Sequence, residues 1–240
     1  MDQPTVSVGT MFDLFSKDER WARKVVIVGA CILIPFVGPF QLIGYGKRCY
    51  QHLQEGNADL PTPSLGEDIG GGFKVWLLRA LNVFPAVLLL VGCAAGCAFG
   101  GAAAGTAVAA AGSGSEGGEA AGGIGALLMM VSMVGGYGMF LLGVLVLGVL
   151  SVDLTRRLYN GESFPLFAPG ASLGAIRRSP GAFVMTWLGL MLAGVISSLG
   201  VILCYVGLLF TAPLGVALSA RVLAQWDAVV KANLPAEESY

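Results

Sequence analysis

Four long stretches of this chain carry no charged residue: 25–46, 80–115, 120–152 and 179–220. A helix that crosses a membrane needs roughly 20 consecutive apolar residues. The first stretch has room for one short span and the last has room for two. A soluble protein built this way would have no surface to show water, so the chain reads as an all-α integral membrane bundle. Composition agrees, with 55% apolar and only 12% charged residues, outside the usual balance of soluble domains.

Several function classes fall away at once. The net charge is −1, and no basic stripe with interleaved aromatics is present, so nucleic acid is not an expected partner. Cys93 and Cys97 lie four apart on one helix face, which is not a CxxC redox or zinc spacing. His52 is the only histidine and falls in a polar loop, which excludes a two-histidine metal site and a Ser/His dyad within a span. No cofactor or metal is expected, and no catalytic residue can be named.

The distribution of Lys and Arg sets the expected topology. Residues 1–24 form a lead-in with Phe12, Phe15 and Trp21 among Lys17, Arg20, Arg23 and Lys24, the pattern of a segment at a membrane interface. Basic loops lie between Lys47 and Arg79 and between Arg156 and Arg178. The glycine-rich stretch 112–123 carries only Glu116 and Glu119 and reads as a flexible linker. Positive-inside bias then places both termini and both basic loops in the cytoplasm. A single crossing by residues 25–46 would put two basic segments on opposite sides. Pro35 and Pro39 break that segment, so it is expected to enter and return, leaving four full spans at 76–101, 125–150, 182–198 and 201–223. A single membrane domain, 25–229, is thus followed by an acidic tail, 230–240. Internal repetition supports successive hairpins: both loops run Arg, Tyr, a glycine turn, Pro, Ser-Leu-Gly and then a Trp-bearing span.

Within the spans, Gly92, Gly96 and Gly100 recur every fourth residue and predict a smooth face for close helix packing. That face serves the bundle itself or a seam with a protein partner or second copy. Ionisable groups near span ends are few. Asp153, Arg79 and Arg221 fall at similar depth and are expected to form a membrane-edge polar cluster, with Asp153 paired to Arg79 or Arg221.

Trp21, Pro35, Gly44-Tyr45, Arg48, Gly56, Leu60-Pro61 and Gly72-Phe73-Lys74 together resemble a prokaryotic membrane family, the domain of unknown function DUF4013. The resemblance implies a multi-pass prokaryotic protein and supplies no catalytic or binding residue. The expected function is a non-enzymatic module of the cell membrane that binds a protein partner or organises membrane lipid. The alternative is a small carrier or lipid-handling transporter. An enzyme is the least favoured class, since it would have to rest on His52, Glu67 and Asp68.

Overall fold

The computed structural model describes residues 5–112, 118–162, 169–202 and 207–233, and no strand occurs among them. The helices in order are α1 (Asp13–Ser16), α2 (Trp21–Ala30), α3 (Val37–Gln54), α4 (Leu65–Gly112), α5 (Gly118–Tyr159), α6 (Pro169–Arg178), α7 (Pro180–Ile202) and α8 (Leu208–Ala232). Four of them, α4, α5, α7 and α8, are long and apolar enough to cross a membrane. The chain is a helical, multi-pass membrane bundle.

The first apolar stretch breaks where its prolines demand. After α2 a short 3-10 turn, Cys31–Leu33, leads to Ile34 in extended geometry, the conformation that a following proline imposes. Phe36 then takes a positive φ of 67°, strained for a residue with a side chain. Pro39 falls in the first turn of α3, where its missing N–H costs nothing. At the other end of α3, Gly56 (φ 87°) supplies the left-handed turn that stops the helix.

The helices outrun the expected spans. α4 starts at Leu65 rather than Trp76, and α8 continues past Arg221 to Ala232. The expected linker is shorter than composition implied, because residues 118–123 belong to α5. In an apolar medium a backbone has to satisfy its hydrogen bonds internally, and that favours helix even in glycine-rich sequence. Residues 113–117 of the linker and 234–240 of the acidic tail lie outside the described residues.

The chain divides into two compact units, Met1–Ala80 with Leu150–Tyr240, and Leu81–Val149. In the first, α8 is the central element, packed by α7, α3, α2 and the 3-10 turn Gly9–Phe12. Its apolar residues Ala217, Leu218, Val222, Leu223, Trp226 and Val230 are all buried, the behaviour of a helix apolar on every side. Close approach rests on glycines: a Cβ on Gly29 would overlap the Leu209 carbonyl, and one on Gly215 would overlap Ser197. The lead-in docks into this unit. Met11 is fully buried against Ala193, Leu218 and Val222, and Gln225 bonds both the Ser7 N–H and the Thr10 hydroxyl.

The second unit is an antiparallel hairpin made by the adjoining parts of α4 and α5. Its seam uses Leu90, Ala94, Cys97, Gly101 and Gly105 facing Gly143, Gly136, Ser132 and Gly125. Gly92, Gly96 and Gly100 face open space instead, which removes them from this internal packing. The reason is geometric. Gly96 and Gly100 each stand one residue before a seam residue, Cys97 and Gly101, and one residue is about 100° around a helix of 3.6 residues per turn.

Candidate functional site

The polar groups of the first unit converge where the C-terminal turns of α3, α5 and α8 meet. Asp153 and Asp227 are fully buried. Arg156 joins them, with Nη2 2.9 Å from Asp153 Oδ1 and Nη1 2.6 Å from Asp227 Oδ1. Arg157 Nε (2.8 Å) and the Ser172 hydroxyl of α6 (2.7 Å) both donate to Asp153 Oδ2. Asp227 also accepts from Lys231 at 2.6 Å, Gln54 at 3.0 Å and Asn160 at 3.1 Å. The Arg156 guanidinium lies 5.5 Å from the centroid of the Trp226 ring, an added cation–π contact. Each buried charge has an opposite partner and further hydrogen bonds, the condition under which buried ions are tolerated. This knot ties α3, α5, α6 and α8 together.

Of the expected cluster, only Asp153 belongs to it. Its oxygens are engaged by Arg156 and Arg157, neighbours at i+3 and i+4 on its own helix, rather than by Arg79 or Arg221. Arg79 lines a separate cleft. Arg221 Nε is buried without a hydrogen-bond partner among the described residues. Asp227, the second anchor of the knot, was not anticipated; its signals were Lys231 one turn on and apolar residues on all sides.

The motif that carried the family resemblance proves architectural. A Cβ on Gly44 would collide with the Asp68 carbonyl, and one on Gly72 with the Phe40 carbonyl, so the pair lets the backbones of α3 and α4 touch. Arg48 then grips the first turn of α4, 2.8 Å from Asp68 and 2.7 Å from Glu67, and donates to the Thr62 carbonyl. Asp68 also accepts from Gln41 and from the Ser64 N–H, both at 3.0 Å. Phe40, Phe73 and Trp76 form a ring cluster with centroids 5.4–6.3 Å apart. Corresponding tyrosines of the two sequence repeats, Tyr50 and Tyr159, pack together at 5.5 Å. His52 meets Asp59 at 3.1 Å rather than Glu67 or Asp68. Among the described residues no group of three His, Cys, Asp or Glu side chains could hold a metal ion.

The α2–α3 hairpin presents a different face. Leu33 (70% exposed), Ile34 and Phe36 (85% exposed) crown its turn, while Lys17, Arg20 and Arg23 form a cationic collar at its base with Trp21 packed on Phe15. Residues 24–30 of α2 separate the last collar cation from the turn, about 10 Å at the helical rise. Beneath the collar, Asp18 accepts from Lys24 at 2.9 Å, the Arg20 N–H at 2.9 Å and the Leu60 N–H at 3.1 Å. Burial works to raise the Asp18 carboxyl, but these donors hold it below its ordinary value. With Lys24 thus satisfied, and also bonded to the Leu60 carbonyl, the exposed charges of the collar are Lys17, Arg20 and Arg23 with Glu19 among them, a net excess of cations.

A cleft of about 470 Å³ opens among α3, α4, α5, α7 and α8 within the first unit. Leu42, Ile43, Val216 and Leu223 give it apolar walls, and Arg79, Thr155, Tyr159 and Ser219 give it a polar stripe. The hydroxyls of Thr155 and Ser219 are spent on carbonyls of their own helices.

Apolar crossing helices, an ionic knot where three of the helices end and a lipid-like exposed surface define an integral membrane bundle. Within that class the chain belongs to the family described as Protein of unknown function (DUF4013), whose profile matches residues 27–206. No curated protein and no solved structure matches it.

Proposed function

We propose that this protein is a non-enzymatic module of the cell membrane that organises anionic lipid through its α2–α3 hairpin. The observation that carries the reading is the exposed apolar crown of Leu33, Ile34 and Phe36 standing about two helical turns and more beyond a collar of Lys17, Arg20 and Arg23. An apolar tip with cationic and aromatic residues at its base matches a leaflet: chains take the tip and acidic headgroups take the collar. In this reading residues 25–46 enter and return, the four long helices cross, and both termini are cytoplasmic. The strain at Phe36 fits a turn held for a purpose.

The test is lipid retention. The full chain is reconstituted with phosphatidylcholine and phosphatidylglycerol, extracted in mild detergent and weighed by native mass spectrometry. Wild type is expected to keep phosphatidylglycerol in preference, and a Lys17→Gln, Arg20→Gln, Arg23→Gln variant to lose that preference. Retention in proportion to the supplied mixture would refute the reading. A stoichiometric protein carried through purification would instead favour a partner module, for which the open Gly92, Gly96 and Gly100 face is the natural surface. The second reading, a small carrier or lipid-handling transporter, draws on the Arg79 cleft. It predicts movement of labelled lipid between leaflets in vesicles.

A further inference from the structure

We infer that the cleft in the first unit binds one anionic amphiphile, with its oxyanion against Arg79 and Tyr159 and its chain along Leu42, Ile43, Val216 and Leu223. The inference goes beyond the hairpin reading and stands on other residues.

Arg79 is the one ionisable side chain that lines the cleft apart from Tyr159, and no carboxylate lies within ion-pair distance of it among the described residues. Elsewhere in this unit Arg48, Arg156 and Arg157 each reach an acid within 3 Å, and Arg221, whose Nε is buried without a partner among the described residues, does not line the cleft. Arg79 sits on a helix long and apolar enough to cross the membrane, where a cation without a counter-charge marks a functional position by default. A guanidinium presents a planar fork of donors suited to a carboxylate or a phosphate.

Tyr159 supplies the second donor. Its ring is buried, its side chain lines the cleft, and its hydroxyl donates to no acceptor among the described residues. Thr155 and Ser219 have given their protons to helix carbonyls, so they keep only acceptor capacity and contribute no competing donor. One tyrosine hydroxyl and one guanidinium, in a cleft walled mainly by apolar side chains, ask for a negative head attached to a hydrocarbon. The volume lies in the range of small-molecule sites. The apolar walls disfavour a free inorganic anion, which would lose its hydration and gain nothing from Leu42 or Val216.

Two sources share this chemistry: a fatty-acid carboxylate and the phosphate of an acidic phospholipid. The experiment uses the full chain in a neutral detergent, titrated separately with oleate, phosphatidylglycerol and the uncharged monoolein, and read by native mass spectrometry. Wild type is expected to bind one equivalent of an acidic amphiphile at least tenfold more tightly than monoolein, and oleate against phosphatidylglycerol identifies the source. Arg79→Gln should remove most of that preference, Arg79→Lys should keep part of it, and Leu42→Trp should block the cleft to every probe. Equal affinity of the wild type for acidic and neutral probes, or no bound equivalent of any, would overturn the inference, whatever the variants do. Loss of binding in the collar variant with Arg79→Gln unaffected would also overturn it while leaving the hairpin reading intact. The converse result would support the cleft alone.

Discussion

The two units of this molecule are held together by different forces. The first, centred on α8, buries charge: Asp153, Asp227 and Arg156 form a continuous chain of ion pairs, and Asp68 and Asp18 anchor two smaller ones. The second unit, Leu81–Val149, relies on glycines along its seam, Gly101, Gly105, Gly125, Gly136 and Gly143, with Leu89, Phe99, Met130 and Leu142 turned outward. In lipid, burying an apolar side chain gains little, because the surroundings are already apolar. An apolar hairpin must therefore rely on close backbone approach. Buried ion pairs behave differently. They tolerate only a few arrangements, and that fits a unit whose many short elements have to be fixed in one geometry.

Breaking the knot is the sharpest way to separate the two. Asp227→Ala leaves Arg156 short of a partner and Lys231, Gln54 and Asn160 without their acceptor. Loss of one member of a buried pair costs about 3–5 kcal/mol. The expected outcome is a large fall in thermal midpoint in detergent, with Asp227→Asn milder because it keeps the hydrogen bonds. An unchanged midpoint would mean that the knot contributes nothing to the first unit.

Next in size is the α3–α4 contact. Gly44→Ala forces a methyl group into the Asp68 carbonyl, and overpacking of this kind costs about 1–3 kcal/mol. Gly70→Ala, two residues from Gly72 on the adjoining helix but in open space, should be neutral or slightly stabilising. Chemical denaturation of the two variants side by side checks the difference.

In the second unit, Gly105→Leu should disturb the hairpin by colliding with the Gly125 carbonyl, and Gly96→Leu should leave it intact. Crosslinking between cysteines placed on α4 and α5 reads the hairpin directly. If Gly96→Leu instead changes the mass of the detergent-solubilised assembly, that face belongs to a second copy.

The smallest effect is on pH. Asp18 has a folded pKa below its ordinary value of 3.8 because of Lys24 and two backbone donors, despite burial. A lowered carboxylate contributes its stability fully above the unfolded value, and that contribution is lost as pH falls through the folded one. Wild type should therefore lose stability below about pH 4, and Asp18→Asn should show a shallower acid limb in a thermal-melt series.

Much of the architecture was legible in the sequence because its causes are local. Uncharged runs have to be apolar helices, and Ile34 before Pro35 has to be extended. The repeat also shows in the fold, since Arg48-Cys49-Tyr50 and Arg157-Leu158-Tyr159 each stand just ahead of a glycine turn. What escaped was register and partner choice. The glycine step at Gly92, Gly96 and Gly100 has the spacing of a seam, but the seam at Ala94, Cys97, Gly101 and Gly105 lies one residue round the helix, and spacing alone does not say which face a partner helix takes. Asp153 was matched to distant Arg79 and Arg221, although Arg156 and Arg157 sit at the helical spacings that pair most readily. Asp227 lies past the expected end of the last span at 223, and nothing local reveals that α3 and α5 close around it.

The most direct test of the account is the sidedness of the α2–α3 hairpin. In a background without native cysteines, Ser16→Cys and Thr62→Cys flank the hairpin, and Phe36→Cys marks its tip. Each is exposed to an impermeant thiol reagent in intact cells and again after permeabilisation. The account predicts that Ser16→Cys and Thr62→Cys are protected in intact cells and labelled once the membrane is opened, with Phe36→Cys protected throughout. Labelling of one flank and not the other in intact cells would mean that the segment crosses, and the lipid-inserting hairpin would have to be abandoned.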